Sequence, residues 1–99
     1  MTPRGTLYRL RVPHDVAALL RGLHPTLKQK IKGALRAIQH DPRAGKPLRE
    51  ELSGLRSYRV SRFRIVYRIA DQDTIDLIAV GPRKNIYEET FRLLQKQPP

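Results

Sequence analysis

Apolar and polar residues take turns along "SYRVSRFRIVYRI", residues 57 to 69, at the two-residue period of a half-buried strand. The pattern splits there into two expected strands, Ser57–Ser61 and Phe63–Ala70. On the second, Phe63, Ile65, Tyr67 and Ile69 share one face, and Arg62, Arg64, Val66 and Arg68 share the other. "DQD" makes a tight turn, and "TIDLIAV", Thr74–Val80, is apolar on both faces, as a central or covered strand is. The short connections require antiparallel neighbours. Upstream, residues 6 to 12 alternate as a strand with Tyr8, Leu10 and Val12 on one side, and Pro13 ends it.

The period then changes to that of helices. Asp15 is placed to cap a short helix carrying Val16, Leu19, Leu20 and Leu23, which Gly22 and Pro25 interrupt. A second helix starts at Pro25 or Thr26. Leu27, Ile31, Ala34, Leu35 and Ile38 form its apolar stripe, with Lys28, Lys32 and Arg36 on another face. "HDP" stops it, because the residue before a proline avoids the helical region. Residues 41 to 56 read as a loop with at most one helical turn, anchored by Leu48, Leu52 and Leu55. Asn85 and Glu88 have capping-box spacing, so a last helix is expected from Asn85, with Tyr87, Phe91 and Leu94 as its stripe. The whole is one α+β domain over residues 1–99: a small curved antiparallel sheet, an N-terminal strand plus a three-strand meander, packed against two N-terminal helices, with a C-terminal helix.

Composition narrows the function. There are no cysteines, so disulfides and thiolate metal sites are excluded. No apolar run is long enough for a membrane span or forms a signal-peptide core, which makes the cytoplasm the expected compartment. The charge is +11, and 14 of the 20 basic residues are arginine, the residue that matches phosphate and stacks on bases. A domain this basic repels itself, and a polyanion compensates: nucleic acid first, an acidic protein second.

The usual catalytic sets are absent from the sequence. His14, His24 and His40 sit at element ends without metal-ligand spacing, and Asp71, Asp73 and Asp76 read as turn residues. Neither a metal nor a cofactor is expected. What remains is focused positive charge: Arg59 and Ser61 on one strand face, Arg64 on the next strand, and Arg83 after "GP". Tyr87 follows in the first turn of the last helix. It is either a core residue stapled to Phe91 or a phenol whose ionised form nearby guanidiniums favour.

"LSGLRSYRVSRFRIVYRI", a hairpin, and then "IAVGPRKNIYEET" resemble the RelE/ParE superfamily of toxins from type II toxin–antitoxin systems. Upstream, "HDPRAGKPLREELSGL" and the helical hairpin before it follow the family's order, so the resemblance spans nearly the whole chain. It implies a cognate antitoxin as partner. The RelE branch cuts messenger RNA, often in the ribosomal A site, whereas the ParE branch poisons DNA gyrase and lacks the nuclease residues. Arg59, Arg64, Arg83 and Tyr87 match the RelE-type catalytic positions. Arg56, Arg62, Arg68 and Lys84, with Lys28 and Lys32 on the second helix, are the further candidates for RNA contact. The sequence departs from the best-known RelE-type sites in carrying Arg59 and Ser61 where those have lysines. Arginine stays protonated and is a poor base. The implied chemistry is attack of a 2′-hydroxyl on the adjacent phosphate, giving a 2′,3′-cyclic phosphate without a metal. Tyr87 is then the base, the arginines stabilise charge, and Arg83 or Lys84 protonates the leaving oxygen. The alternatives are a ParE-like gyrase inhibitor and a non-catalytic RNA-binding or decayed toxin.

Overall fold

The computed structural model describes residues 7–96, without the side chains of Arg83, Lys84 and Lys96. Strand β1 is Arg9–Arg11, followed by helices α1, His14–Arg21, and α2, Pro25–His40. Two single 3₁₀ turns, Pro42–Ala44 and Glu50–Leu52, flank the two-residue strand β2, Lys46–Pro47. Strands β3, Arg56–Val60, β4, Phe63–Ile69, and β5, Thr74–Pro82, lead into α3, Arg83–Lys96. The strands lie in the order β1-β5-β4-β3-β2. The α+β architecture is the expected one, with two refinements. The sheet has a fifth strand, β2, and it is mixed, because β1 runs parallel to β5.

Each face of the sheet has its own core. Val60, Ile65, Tyr67, Ile75, Leu77 and Val80 pack against Val16 of α1 and Ile31, Ala34 and Ile38 of α2. On the other face Leu55, Val66 and Ala79 meet Ile86 of α3. This explains why β5 reads as apolar on both sides. A register shift opposite Val66 and Tyr67 pairs them with Ala79 and Leu77, so Ile78 is an extra residue on β5. Bulges of this kind bend a strand and raise its twist.

The helix boundaries differ from expectation at two places. Asp15 does not cap α1: Pro13 holds the cap position with no side-chain bond, and Asp15 lies in the first turn, where the helix dipole favours its charge. Helix α3 starts at Arg83, not Asn85, because Pro82 hands β5 straight to the helix. Its buried face is also rotated. Ile86 and Thr90 are fully buried, and Tyr87 and Leu94 pack against the same cluster, while Phe91 stays 37% exposed. Gly81 sets this phase, since a Cβ there would stand 3.2 Å from Ile86 Cδ1. At the other helix junction, His24 caps α2 by accepting from Thr26 N. The first strand is likewise shorter than its pattern: Val12 lies outside β1 and is exposed.

The loop before β3 is held by one buried phenol. Tyr67 Oη donates to Pro42 O at 2.5 Å and accepts from Gly45 N at 2.9 Å. Burial pushes this phenol above its ordinary pKa, so it remains a donor. Leu48, Leu52 and Leu55 anchor the rest of the loop to the α3 side. No helix among the described residues is long and apolar enough to cross a membrane.

Candidate functional site

Alternation on β3 and β4 puts Ser57, Arg59, Arg64 and Val66 on the α3 side of the sheet. Arg59 and Arg64 are direct cross-strand partners, and Gly81 of β5 lies opposite Arg64. Two like charges in that relation are mutually destabilising. Gly81 carries no side chain to cover the pair.

A single hydroxyl ties this row to α3. Ser57, 2% exposed, accepts from Tyr87 Oη at 3.1 Å and from Arg64 Nη1 at 3.3 Å. The Nε of Arg64 is buried without a partner among the described residues. Arg59 is exposed, and its Nε donates to Ser61 O at 3.3 Å. Leu55, Val66, Ala79 and Ile86 form an apolar floor, which strengthens the electrostatics above it. Tyr87 thus combines the two readings open in the sequence: its ring packs on the core, and its hydroxyl enters the arginine row.

The structure therefore brings Arg59, Arg64 and Tyr87 together. The backbone of Arg83 and Lys84 forms the start of α3, immediately after the strand that borders Arg64, but their side chains lie outside those described. The other basic candidates are elsewhere. Ser61 and Arg62 form the exposed two-residue turn between β3 and β4, not strand positions, and Ser61 adopts φ +54°. Lys30 of α2 reaches that turn, its Nζ donating to Ser61 Oγ at 3.3 Å. Arg56 points to the opposite face, where Nη1 donates to Gly45 O at 2.7 Å and Arg43 O at 3.3 Å. Arg68 lies towards the far end of β4, paired at 2.9 Å with Asp76, which also binds Arg11 of β1. The Arg11 hydrogen bond, helped by Arg68, holds the Asp76 carboxyl below the usual carboxylate range. Lys28 and Lys32 belong to α2, on the other side of the sheet, and Lys28 Nζ donates to Arg21 O at 3.0 Å.

Ser57 and Lys30 are the contributors that sequence reasoning misses. The available signal for Ser57 is a small polar residue on a strand face that otherwise runs from Leu55 into the core. Of the three aspartates expected in the turn, Asp71 and Asp73 are there, Asp71 accepting from Asp73 N at 3.1 Å, but Asp76 is a β5 residue held by Arg11 and Arg68 on the neighbouring strands. No group of three or more His, Asp or Glu side chains that could hold a metal gathers among the described residues. Neither the groove of about 530 Å³ between α1, β5 and α3 nor the one of about 600 Å³ beside Tyr8 and Pro42 contains Arg59, Arg64 or Tyr87. The arginine row is thus an open, charged surface, suited to a polymer laid across it more than to an engulfed small molecule.

Comparison with known proteins agrees with this fold. Residues 8–87 match the family model described as ParE toxin of type II toxin-antitoxin system, parDE. Toxin RelG of Mycobacterium tuberculosis (strain ATCC 25618 / H37Rv) is 46% identical over 59 residues, 58% of this chain and 68% of that protein. In structure, the chain is similar to one in the toxin–antitoxin complex RelBE2 of Mycobacterium tuberculosis. The TM-score is 0.69 at 29% identity, covering 83% of this chain and 98% of the other. A mutant of the E. coli toxin RelE in the free state gives a TM-score of 0.71 at 23% identity, over 92% and 97% of the two chains, a likeness of fold.

Proposed function

The chain belongs to the RelE/ParE superfamily of toxins from type II toxin–antitoxin systems, and from that premise we propose that it is a messenger-RNA endoribonuclease acting on the ribosome in the cytoplasm. The observation that carries the reading is the row of Arg59 and Arg64 with the Tyr87 hydroxyl joined to it.

The reaction has three tasks. A base takes the proton of the 2′-hydroxyl on the 5′ side of the scissile phosphate, and the 2′-oxygen attacks phosphorus in line. The bond from phosphorus to the 5′-oxygen breaks, and that oxygen takes up a proton. The products are a 2′,3′-cyclic phosphate and a 5′-hydroxyl. Tyr87, as phenolate, is the base. Arg59 and Arg64 stabilise the added negative charge on the phosphorane, and Arg83 joins them. Arg83 or Lys84 protonates the leaving oxygen. A set with so weak an acid and base depends on alignment, which bound ribosome and message supply through orientation. The exposed Arg62 at the β3–β4 turn extends the surface along the RNA. The partner that silences the toxin is a cognate antitoxin whose acidic or amphipathic segment covers the basic face. The +11 charge and the likeness to a chain of the RelBE2 complex support this.

The test is expression with mapping of ribosome-bound message. Cleavage and growth arrest are expected, and Arg83→Ala and Tyr87→Phe relieve both while remaining folded. Undiminished toxicity in the two variants overturns the site. A second reading is favoured by the family model itself, whose description names ParE. It predicts trapped gyrase–DNA complexes with intact messenger RNA, so the same cells distinguish the two.

A further inference from the structure

The Tyr87 hydroxyl is not free to wander, and the group that holds it has no role in the mechanism above. Ser57 Oγ accepts from the phenol at 3.1 Å and from the Arg64 guanidinium at 3.3 Å. A hydroxyl has two acceptor lone pairs and one hydrogen to donate. Here both acceptor positions are taken, by a phenol and a cation from different elements. The oxygen itself is fixed, because Ser57 is 2% exposed and lies inside β3, paired with Val66 of β4. A strand paired on both sides thus sets where the helix-borne phenol stands relative to the strand-borne guanidinium.

We propose that Ser57 is a positioning residue for the cleavage reaction, holding Tyr87 and Arg64 one hydroxyl apart so that base and phosphate-stabilising cation meet the same substrate group. The assignment rests on the reading of Tyr87 as the base. Ser57 serves both protonation states of the phenol. It accepts from the neutral form, and after ionisation its O–H turns to donate to the phenolate oxygen. Ser57 need not touch the substrate. Its buried place beneath Tyr87 and Arg64 makes it a support, and alanine removes that support while leaving the backbone of β3 intact.

Single-turnover cleavage of ribosome-bound messenger RNA by the full chain tests this, with Ser57→Ala, Tyr87→Phe and the double variant compared. Ser57→Ala is expected to lower the maximal rate roughly ten- to a hundredfold, the effect of a small misplacement of catalytic groups. The half-saturating ribosome concentration stays unchanged, because Arg59 and the exposed surface still bind. In the Tyr87→Phe background Ser57→Ala is expected to cost clearly less than it does alone, since the part of its effect that runs through the phenol is already gone and only the Arg64 part remains. Circular dichroism melting checks the fold. Should Ser57→Ala fail to fold, Ser57→Cys, similar in size and a weaker hydrogen-bonding group, carries the same comparison. A wild-type rate in Ser57→Ala, or a loss in the double variant equal to the product of the two single losses, overturns the positioning role while leaving Tyr87 as base. A wild-type rate in Tyr87→Phe overturns the base assignment and the proposal together.

Discussion

Tyr67→Phe deletes one oxygen atom from the centre of the molecule, and the structure states what that oxygen holds. It donates to Pro42 O and accepts from Gly45 N, both in buried residues of the loop that carries β2 to the sheet. Phenylalanine fills nearly the same volume, so no cavity opens beyond the hydroxyl. The loss is two buried backbone groups left without partners, at about 1–3 kcal/mol each, partly offset because the hydroxyl no longer needs desolvating. A net cost of about 2–4 kcal/mol follows. Domains of this size have only about 5–15 kcal/mol in total. Each kcal/mol moves the melting temperature by about 4–8 °C, so a fall of roughly 8–32 °C is expected. Urea denaturation at neutral pH measures the free energy directly, with the midpoint moving and the slope unchanged. Alkaline pH gives a second readout. Burial raises the Tyr67 phenol in the folded state, so its contribution is fully present below the unfolded value near 10 and is lost as pH rises through the folded one. Tyr67→Phe should lose that part of the alkaline destabilisation. A cost under about 0.5 kcal/mol would show that other partners satisfy Pro42 O and Gly45 N, refuting the account of how the loop is held.

Three further outcomes follow from neighbouring geometry. Gly45→Ala places a Cβ 2.4 Å from Tyr67 Oη and 2.8 Å from its Cε1, so it should destabilise by about 1–3 kcal/mol in the same urea assay. The Asp76 carboxyl, depressed by Arg11 and Arg68, contributes stability that is present above the unfolded value near 3.9 and is lost as pH falls through the lower folded value. Denaturation followed from pH 7 down to 2 should therefore show a steeper acid loss in the wild type than in Asp76→Asn. For RNA binding, removing a guanidinium that contacts a phosphate lowers the salt slope by about 0.7 on a single strand. Fluorescence titrations at several salt concentrations should show this for Arg59→Ala and not for Lys28→Ala.

Those predictions draw on parts of the molecule that were not equally legible in the sequence. The alternation of β4 placed Ile65 and Tyr67 inward and Arg64 on the other face, because a central strand keeps a strict two-residue period. The stripe of α2 was legible for the matching reason, since Ile31, Ala34 and Ile38 answer to one flat sheet face. Features that depend on distant partners were not. The parallel pairing of β1 with β5 joins Leu10 to Ile75 across most of the chain, and β2 is too short to leave a period at all. Helix α3 misled locally: Asn85 and Glu88 have capping spacing, but Pro82 leads the strand directly into the helix, and the contact of Gly81 with Ile86 turns Phe91 outward. Of the site, the residue types were visible and the linkage was not. A serine in a strand is unremarked until a tyrosine thirty positions later places its hydroxyl on it.

The Arg59–Arg64 pair connects stability to function. Opposed guanidiniums on adjacent strands repel, and Arg64 also carries a buried Nε with no partner among the described residues, a cost of about 1–3 kcal/mol. An apolar side chain of similar length should be better tolerated there than the native arginine. Arg64→Met keeps an apolar stem on the same strand face as Val66, leaves Ser57 still accepting from Tyr87, and removes both penalties. After subtracting the lost bond to Ser57, the variant should be more stable by about 1 kcal/mol. It should be inactive in the cleavage assay, as expected where an active site is retained at the expense of stability. Urea midpoints for the two proteins decide the matter. A destabilised Arg64→Met would mean that Arg64 is there to hold Ser57 in place and that the row is part of the scaffold. A stabilised, inactive one would identify the repulsion as a cost retained for a phosphate that the isolated toxin does not hold.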